Sequence, residues 1–220
     1  MSRLYNDAHR RLQDEFGTRR MADRIEELAC KDVMGEPEKA FIESRDMFFL
    51  ATVDTDGSPT VSYKGGDPGF VRVVDEKMVI FPIYDGNGMF LSTGNIASKG
   101  EVGVLFIDFE KPHRIRLQGR AELSRDPALL GHYKEAIFVV KIAVRAVFQN
   151  CPRYVHRYEK IAPSRYVPRV ESDTPLATWK RTEDIQDVLP ERDAKKVESA
   201  GGTMPTEEWI GMIVAGDPEA

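Results

Sequence analysis

Three arginines lie at spacings of two and four residues in one short stretch, His113-Arg-Ile-Arg-Leu-Gln-Gly-Arg120. In a β-strand this spacing puts the charged and amide side chains on one face and the aliphatic ones on the other. Three cations on one face repel one another unless acids or a bound anion lie between them. Two interpretations stay open: a solvated outer strand paired with acidic neighbours, or a surface whose guanidinium groups bind phosphate or the electron-rich edge of a ring. The face carries Arg114, Arg116, Gln118 and Arg120.

A second stretch, Thr60-Val-Ser-Tyr-Lys64, divides in the same way. Alternation places Ser62 and Lys64 on one face, and Val61 and Tyr63 on the other. A hydroxyl beside an ammonium suits a phosphate contact, although an ordinary polar outer face has the same pattern.

Glycine and hydrogen-bonding side chains are concentrated in the segment Asp85-Gly-Asn-Gly-Met-Phe-Leu-Ser-Thr-Gly-Asn95. Its glycines allow the backbone to approach a ligand closely. Ser92, Thr93 and Asn95 lie near a predicted helix start, where backbone N–H groups favour anions. The length of the segment and its density of donors favour a binding loop over an ordinary surface turn.

Side chains that do chemistry unaided are scarce. The chain has none of the short motifs of zinc peptidases, serine hydrolases, P-loop NTPases or dinucleotide-binding folds, and its four histidines lack metal-ligand spacing. Cys151, in Asn150-Cys-Pro-Arg-Tyr154, is either a thiol activated by Arg153 or an inert small residue, and no partner base is evident. We expect no metal, and a bound cofactor would supply the reactive centre of any enzyme.

The patterns around these residues predict three zones. Residues 1–45 read as an N-terminal helical extension, residues 46–158 as a mainly β domain, and residues 159–220 as a C-terminal extension that packs on that domain or on a dimer. Six or more short strands predict a closed or nearly closed antiparallel barrel with short helical additions. In the last strand, Phe138, Val140, Ile142, Val144, Ala146 and Phe148 are predicted to share one face.

Composition narrows the class of protein. In 220 residues, 41% are apolar and 30% charged, which excludes a disordered chain, and a net charge of −5 argues against nucleic-acid binding. Two cysteines without a CxxC pair exclude a disulfide framework and suggest a reducing, cytoplasmic setting. No apolar run approaches the roughly 18 residues that would span a bilayer, so no membrane association is expected.

One region departs from the acidic average. Between Lys141 and Arg169 there are seven Lys or Arg residues and one acid, Glu159. This stretch supports a further hypothesis, a dimeric interaction protein that recognises an acidic partner.

Four ordered motifs resemble the flavin-nucleotide-binding proteins related to pyridoxamine 5′-phosphate oxidase. They are Phe48-Phe-Leu-Ala-Thr-Val-Asp-Thr-Asp-Gly-Ser-Pro59, Lys64-Gly-Gly-Asp-Pro-Gly-Phe70, Gly86-Asn-Gly-Met-Phe-Leu-Ser-Thr-Gly-Asn95 and Asn150-Cys-Pro-Arg-Tyr154. The resemblance covers about residues 40 to 158. It implies an FMN-binding split β-barrel that works as a homodimer, with the flavin at the subunit interface.

The resemblance also implies which residues bind FMN. Arg114 and Arg116 fall on the strand that faces the isoalloxazine, and Arg153 and Tyr154 lie on the substrate side. Leu91 and Ser92 stand where the vitamin B6 oxidases carry a basic pair, so FMN binding is expected rather than that particular activity. The remaining positions implied to hold FMN are Ser62, Lys64, Phe81, Pro82, Asn87, Ser92, Thr93 and Asn95.

Two functions follow from the resemblance. The first is an FMN-dependent oxidoreductase that passes electrons or hydride to an unidentified acceptor, with NADH or NADPH as a possible donor. The alternative is a flavin or haem carrier or sensor without turnover of its own, which suits the lack of an acid/base pair.

Overall fold

The computed structural model describes residues 2–220. The chain forms two compact units: one ends at Lys160, and the other is Ile161–Ala220. The N-terminal helices belong to the same unit as the sheet.

Helices dominate the first 45 residues, as the apolar spacing predicts. They are α1 (Asp7–Glu15), α2 (Arg19–Ala29) and α3 (Glu36–Glu43), with a two-residue strand β1 (Cys30–Lys31) between the last two. Asn6 caps α1 by accepting a hydrogen bond from the His9 N–H. Neither α1 nor α2 buries a residue, since their apolar stripes are narrow.

The second structural layer is one antiparallel sheet of eight strands. Along the sheet the strands run in the order β3-β2-β6-β7-β8-β5-β4, and β1 pairs with β8. The sheet does not close, because β3 and β4 end the path, so the structure is a split barrel and the fold prediction is confirmed. The bounds are β2 Met47–Val53, β3 Pro59–Gly65, β4 Arg72–Asp75, β5 Met78–Ile83, β6 Glu101–Asp108, β7 His113–Ser124 and β8 Phe138–Gln149.

The main core fills the inside of the curved sheet. Phe48 is fully buried, with its ring centroid 4.9 Å from that of Phe81 and 5.3 Å from that of Phe106. Each such ring contributes roughly 1.5–3 kcal/mol through removal of apolar surface from water.

The predicted single face of β8 is wrong beyond Val144. The register with β7 shifts between Gln118 and Gly119, so β8 carries an extra residue there. A bulge of this kind reverses which side chains point inward. Val147 consequently lies in the main core, and Phe148 lies outside it.

Short helices complete both units. In the first unit α4 (Leu91–Ser98) and α5 (Pro127–Leu130) connect strands. The second unit contains two 3₁₀-helices, at Thr178–Arg181 and Glu183–Val188. They are followed by two α-helices, α6 (Glu191–Val197) and α7 (Thr206–Ala215). There Lys180 and Asp193 form a buried ion pair with a nitrogen–oxygen distance of 2.8 Å. Within residues 2–220 no helix is long and apolar enough to cross a membrane.

Candidate functional site

A pocket of about 240 Å³ lies between β3, the end of β5 and the glycine-rich segment before α4. We call it the loop pocket. Its polar lining consists of Ser62, Lys64, Tyr84, Asn87, Ser92 and Thr93. Five of these six residues belong to the predicted cofactor-binding set, and they come from segments far apart in the sequence.

The start of α4 faces this pocket without a side-chain cap. Phe90 occupies the N-cap position with a left-handed backbone (φ 50°), and its side chain has no oxygen to accept from the first-turn N–H groups. Helix starts with free N–H groups bind anions, because these groups and the helix dipole both favour negative charge. The first N–H groups of α4 therefore have no side-chain acceptor, and an anion site at this place stays a prediction.

Two serines join β3 to α4 at the floor of the pocket. The hydroxyl oxygens of Ser62 and Ser92 lie 3.0 Å apart, and Ser92 is only 9% exposed. On β3 the polar face, which includes Ser62 and Lys64, is the more buried one, whereas Val61 and Tyr63 are 66% and 61% exposed. This inversion argues against the interpretation of the polar face as an ordinary solvated surface.

Lys64 is partly buried, and none of residues 2–220 gives its ammonium an ion pair or a hydrogen bond. Burial alone lowers the pKa of Lys64, because water is removed from the charged form and no acid replaces it. A cation without a counterion in a pocket is well suited to a phosphate.

Tyr84 forms the opposite side of the loop pocket. Burial raises the pKa of Tyr84 to about 12, and the nearby Asp67 adds to the shift. The residue therefore stays a neutral phenol and offers an O–H donor throughout the physiological range.

Three residues predicted to bind the cofactor already use side-chain groups in hydrogen bonds within the protein. The Asn87 side chain accepts from the Met89 N–H at 3.1 Å, which fixes the turn. The Thr93 hydroxyl donates to the Phe90 carbonyl at 2.9 Å. Asn95 lies outside the pocket and donates to the Thr52 hydroxyl at 3.1 Å, which anchors α4 to β2.

Phe81 and Pro82 are buried in β5 and do not line the loop pocket. The Phe81 ring packs on Phe48 in the core. The next two residues, Ile83 and Tyr84, do line it. A contact of Phe81 or Pro82 with FMN remains a prediction.

Arg114 and Arg116 also lie away from the loop pocket within one protomer. Arg114 donates to the Cys151 carbonyl at 2.8 Å. Arg116 borders a separate cavity of about 280 Å³, the N-terminal pocket, between β7 and the first two helices, where Tyr5, His9 and Cys30 also lie. A contact of Arg114 or Arg116 with the flavin ring stays a prediction.

The residues predicted for the substrate side lie on the surface just after β8. The Arg153 guanidinium stacks over the Tyr154 ring at 5.6 Å, and Tyr154 is 88% exposed. Cys151 is an exposed free thiol. The Arg153 N–H is its main hydrogen-bond donor, and together with the Arg153 and Arg114 charges it lowers the pKa of Cys151.

Several of the seven basic residues in the stretch 141–169 pair with acids elsewhere in the chain. Lys141 pairs with Glu122 at 2.6 Å, and Arg145 with Glu101 at 3.4 Å. Lys160 pairs with Asp46. These pairs reduce the charge available to an acidic partner, and the hypothesis of such a partner stays a prediction.

Among residues 2–220, no group of three His, Cys, Asp or Glu side chains could hold a metal ion. The loop pocket itself contains only two titratable side chains, Lys64 and Tyr84.

Sequence patterns missed the apolar part of this site. Met89, Phe90 and Leu91 line the loop pocket and remain 63%, 51% and 55% exposed. Three consecutive exposed apolar residues beside a polar loop are the signal that could have identified this rim. Tyr84 had no such signal, because its place in the pocket depends on which segments meet beyond the end of β5.

The open antiparallel sheet and the pocket at a helix start together define a split β-barrel. Residues 34–170, well over half of the chain, match the sequence profile described as pyridoxamine 5′-phosphate oxidase. The chain therefore belongs to the pyridoxamine 5′-phosphate oxidase family. A comparison with curated protein sequences gave no match.

Solved structures match between about half and two thirds of the chain. HupZ from Group A Streptococcus is 22% identical and covers 57% of this chain and 99% of its own, with a TM-score of 0.44. An FMN-binding protein from Syntrophomonas wolfei is 10% identical and covers 64% and 97%, with a TM-score of 0.43. HutZ, a haem storage protein from Vibrio cholerae, is 20% identical and covers 51% and 92%, with a TM-score of 0.39.

Proposed function

We propose that the protein is an FMN-binding oxidoreductase whose loop pocket holds the FMN phosphate. The observation that carries this proposal is Lys64, a partly buried ammonium that lacks a counterion within the described chain. A phosphate carries close to two negative charges near neutral pH and would compensate that charge. The Ser62 and Ser92 hydroxyls and the first N–H groups of α4 would supply the neutral donors.

The size of the pocket fits part of FMN. Its volume of about 240 Å³ lies below the roughly 300–1,000 Å³ of pockets that enclose a whole drug-sized ligand. The phosphate and the ribityl chain would occupy it, and the isoalloxazine would extend over the exposed rim of Met89 and Phe90. A ring in that position needs a second surface to exclude water.

A homodimer would supply that second surface. The outer face of the sheet carries a row of cross-strand neighbours that runs from Tyr63 through Phe49 and Leu105 to Arg116. Tyr63 is 61% exposed, and Phe49 and Leu105 are only partly buried, so the row leaves apolar surface open to a partner. Burial of this row in a dimer would bring Arg116, and Arg114 two residues away on the same face, into the interface with the flavin.

The bound flavin would accept and pass on electrons or hydride, and the side chains would position it. Arg114 and Arg116 would stabilise the negative charge of the reduced ring. The donor, with NADH or NADPH as candidates, and the acceptor would approach near Arg153 and Tyr154. The two free thiols suit a cytoplasmic setting, which is part of the proposal.

Reconstitution tests the proposal. Purified protein with added FMN should show flavin absorbance after gel filtration, quenched flavin fluorescence and a higher Tm, and NADH or NADPH should bleach the spectrum. A colourless protein whose Tm does not respond to FMN would refute it.

A carrier without turnover is the second candidate. One observation favours it: the loop pocket has no His, Asp, Glu or Cys side chain to move a proton. In this case FMN would bind with the same fluorescence quenching, but neither nicotinamide cofactor would reduce it. Haem in place of FMN would give a Soret band in the freshly purified protein.

A further inference from the structure

A third cavity lies on the opposite edge of the sheet from the loop pocket. It has a volume of about 480 Å³ and is bordered by α3, β4, β5 and α5. We call it the edge-strand pocket, because β4 ends the strand order. Its lining includes Glu43, Arg72, Val74, Ile80, Leu129 and His132. None of these residues belongs to the flavin site proposed above.

The floor of the edge-strand pocket is apolar. Ile80 is 3% exposed and packs with Leu129 in a small hydrophobic cluster separate from the main core. Val74, on the rim, is 57% exposed. Such a floor favours the apolar body of a ligand through burial of its surface.

The polar side chains at the edge-strand pocket differ in whether they already have a hydrogen-bond or ion-pair partner. One carboxylate oxygen of Glu43 already accepts from the Val73 N–H at 2.9 Å, which protects the edge of β4. Arg72 has no ion pair within residues 2–220, and its guanidinium lies 5.8 Å from the centroid of the Tyr133 ring. His132 contacts the edge of the same ring at a centroid distance of 6.3 Å.

Register holds Arg72 above the apolar floor. Arg72 and Ile80 are directly opposed across β4 and β5, so their side chains leave the sheet on the same side. A cation beside an apolar surface selects a ligand that is both anionic and apolar. The fixed negative charge of Glu43 disfavours a second anionic group.

We propose that the edge-strand pocket binds a small organic monocarboxylate, with the carboxylate on Arg72 and an aliphatic or aromatic body over Ile80 and Leu129. This site is independent of FMN. It would give the protein a second ligand, either a substrate of another step or an effector.

Benzoate and its neutral amide, benzamide, test the proposal, because they share a shape and differ in charge. Titration of the purified protein by calorimetry should give a benzoate Kd on the order of 1 mM, the same with and without added FMN, and at least about tenfold weaker binding of benzamide. Amide chemical-shift changes in NMR should centre on Val74 and His132.

Substitutions then locate the charge. Arg72→Gln should weaken benzoate binding about tenfold or more, whereas Arg125→Gln should leave it unchanged. Arg125 is the matched control, since it also stacks on an aromatic ring, Phe138, but lies outside the pocket. Val74→Glu, at an exposed position, should also weaken binding without a change in Tm.

Three results would overturn the inference: no benzoate binding below about 10 mM, equal affinity for benzamide, or an unchanged benzoate Kd in Arg72→Gln with the flavin content retained. Flavin content is measured in every variant. A loss of benzoate binding in protein that keeps its flavin therefore concerns this site alone.

Discussion

The hydroxyl oxygens of Ser62 and Ser92 lie 3.0 Å apart, although the two residues are 30 positions apart in the chain. This contact joins an edge strand to the start of α4 and brings Lys64 beside a set of free backbone N–H groups. The candidate phosphate site thus forms only where β3 and α4 come together. Its charged group and its hydrogen-bond donors can be tested one at a time.

Replacement of Lys64 by Met should have two opposite effects. The affinity for FMN should fall by about 1.5–3 kcal/mol, because a charge-assisted hydrogen bond is lost. The Tm of the flavin-free protein should rise, since a partly buried charge without a counterion is removed. Fluorescence titration and thermal unfolding measure the two effects.

Lys99→Met is the control for this substitution, because Lys99 is exposed and lies outside the pocket. If the Lys64→Met variant retained full FMN affinity, the proposal that the loop pocket holds the FMN phosphate would be wrong.

The affinity for FMN should depend on pH through Lys64. Burial lowers the pKa of Lys64 in the free protein, and a bound phosphate would raise it again. At a pH between the pKa of Lys64 in the free protein and its pKa in the complex, FMN binding is accompanied by the uptake of a proton. The affinity for FMN therefore falls as pH rises above the pKa that Lys64 has in the free protein. Affinity should also fall below about pH 6, as the phosphate gains a proton.

Lys64→Arg should keep its charge over the whole alkaline range and flatten that side of the profile. An alkaline decline that persists unchanged in this variant would assign the titration to another group.

Arg116→Ala tests the predicted flavin contact and the dimer together. If Arg116 reaches the ring in the interface, FMN affinity should drop by about 1.5–3 kcal/mol. His9→Ala, in the same N-terminal pocket, should bind FMN as the unmodified protein does. Equal affinities for both variants would instead place Arg116 on a solvated face.

The close approach of β7 and β8 at the bulge predicts a large effect of one methyl group. A Cβ on Gly119 would lie 2.3 Å from the Ala143 carbonyl oxygen, which belongs to the backbone and cannot turn away. Gly119→Ala should therefore destabilise the fold by about 1–3 kcal/mol in urea denaturation.

Gly94 gives the comparison, since a Cβ there meets no atom within 4 Å. Gly94→Ala, inside α4, should be neutral or stabilising because alanine favours the helix. Equal destabilisation of both variants would contradict the close contact at the bulge.

Local patterns predicted most of the strands, because period-two alternation and glycine turns are written in neighbouring residues. The prediction failed in β8 beyond Val144, where the bulge depends on the partner strand. The orientation of Phe81 likewise depends on the fold, since its ring packs against Phe48 in the core, and the FMN contact that the resemblance implies for it stays a prediction.

The sequence by itself determined the antiparallel strands, the glycine-rich segment, the family and most of the polar residues that line the loop pocket, because these depend on residue type and short spacing. Only the tertiary structure decided that the polar face of β3 turns inward and that Lys64 has no counterion there. It also decided that Arg116 borders a different cavity and that Arg72 lies above an apolar floor. These relations depend on which strands become neighbours and how the sheet curves, and no single stretch of chain encodes them.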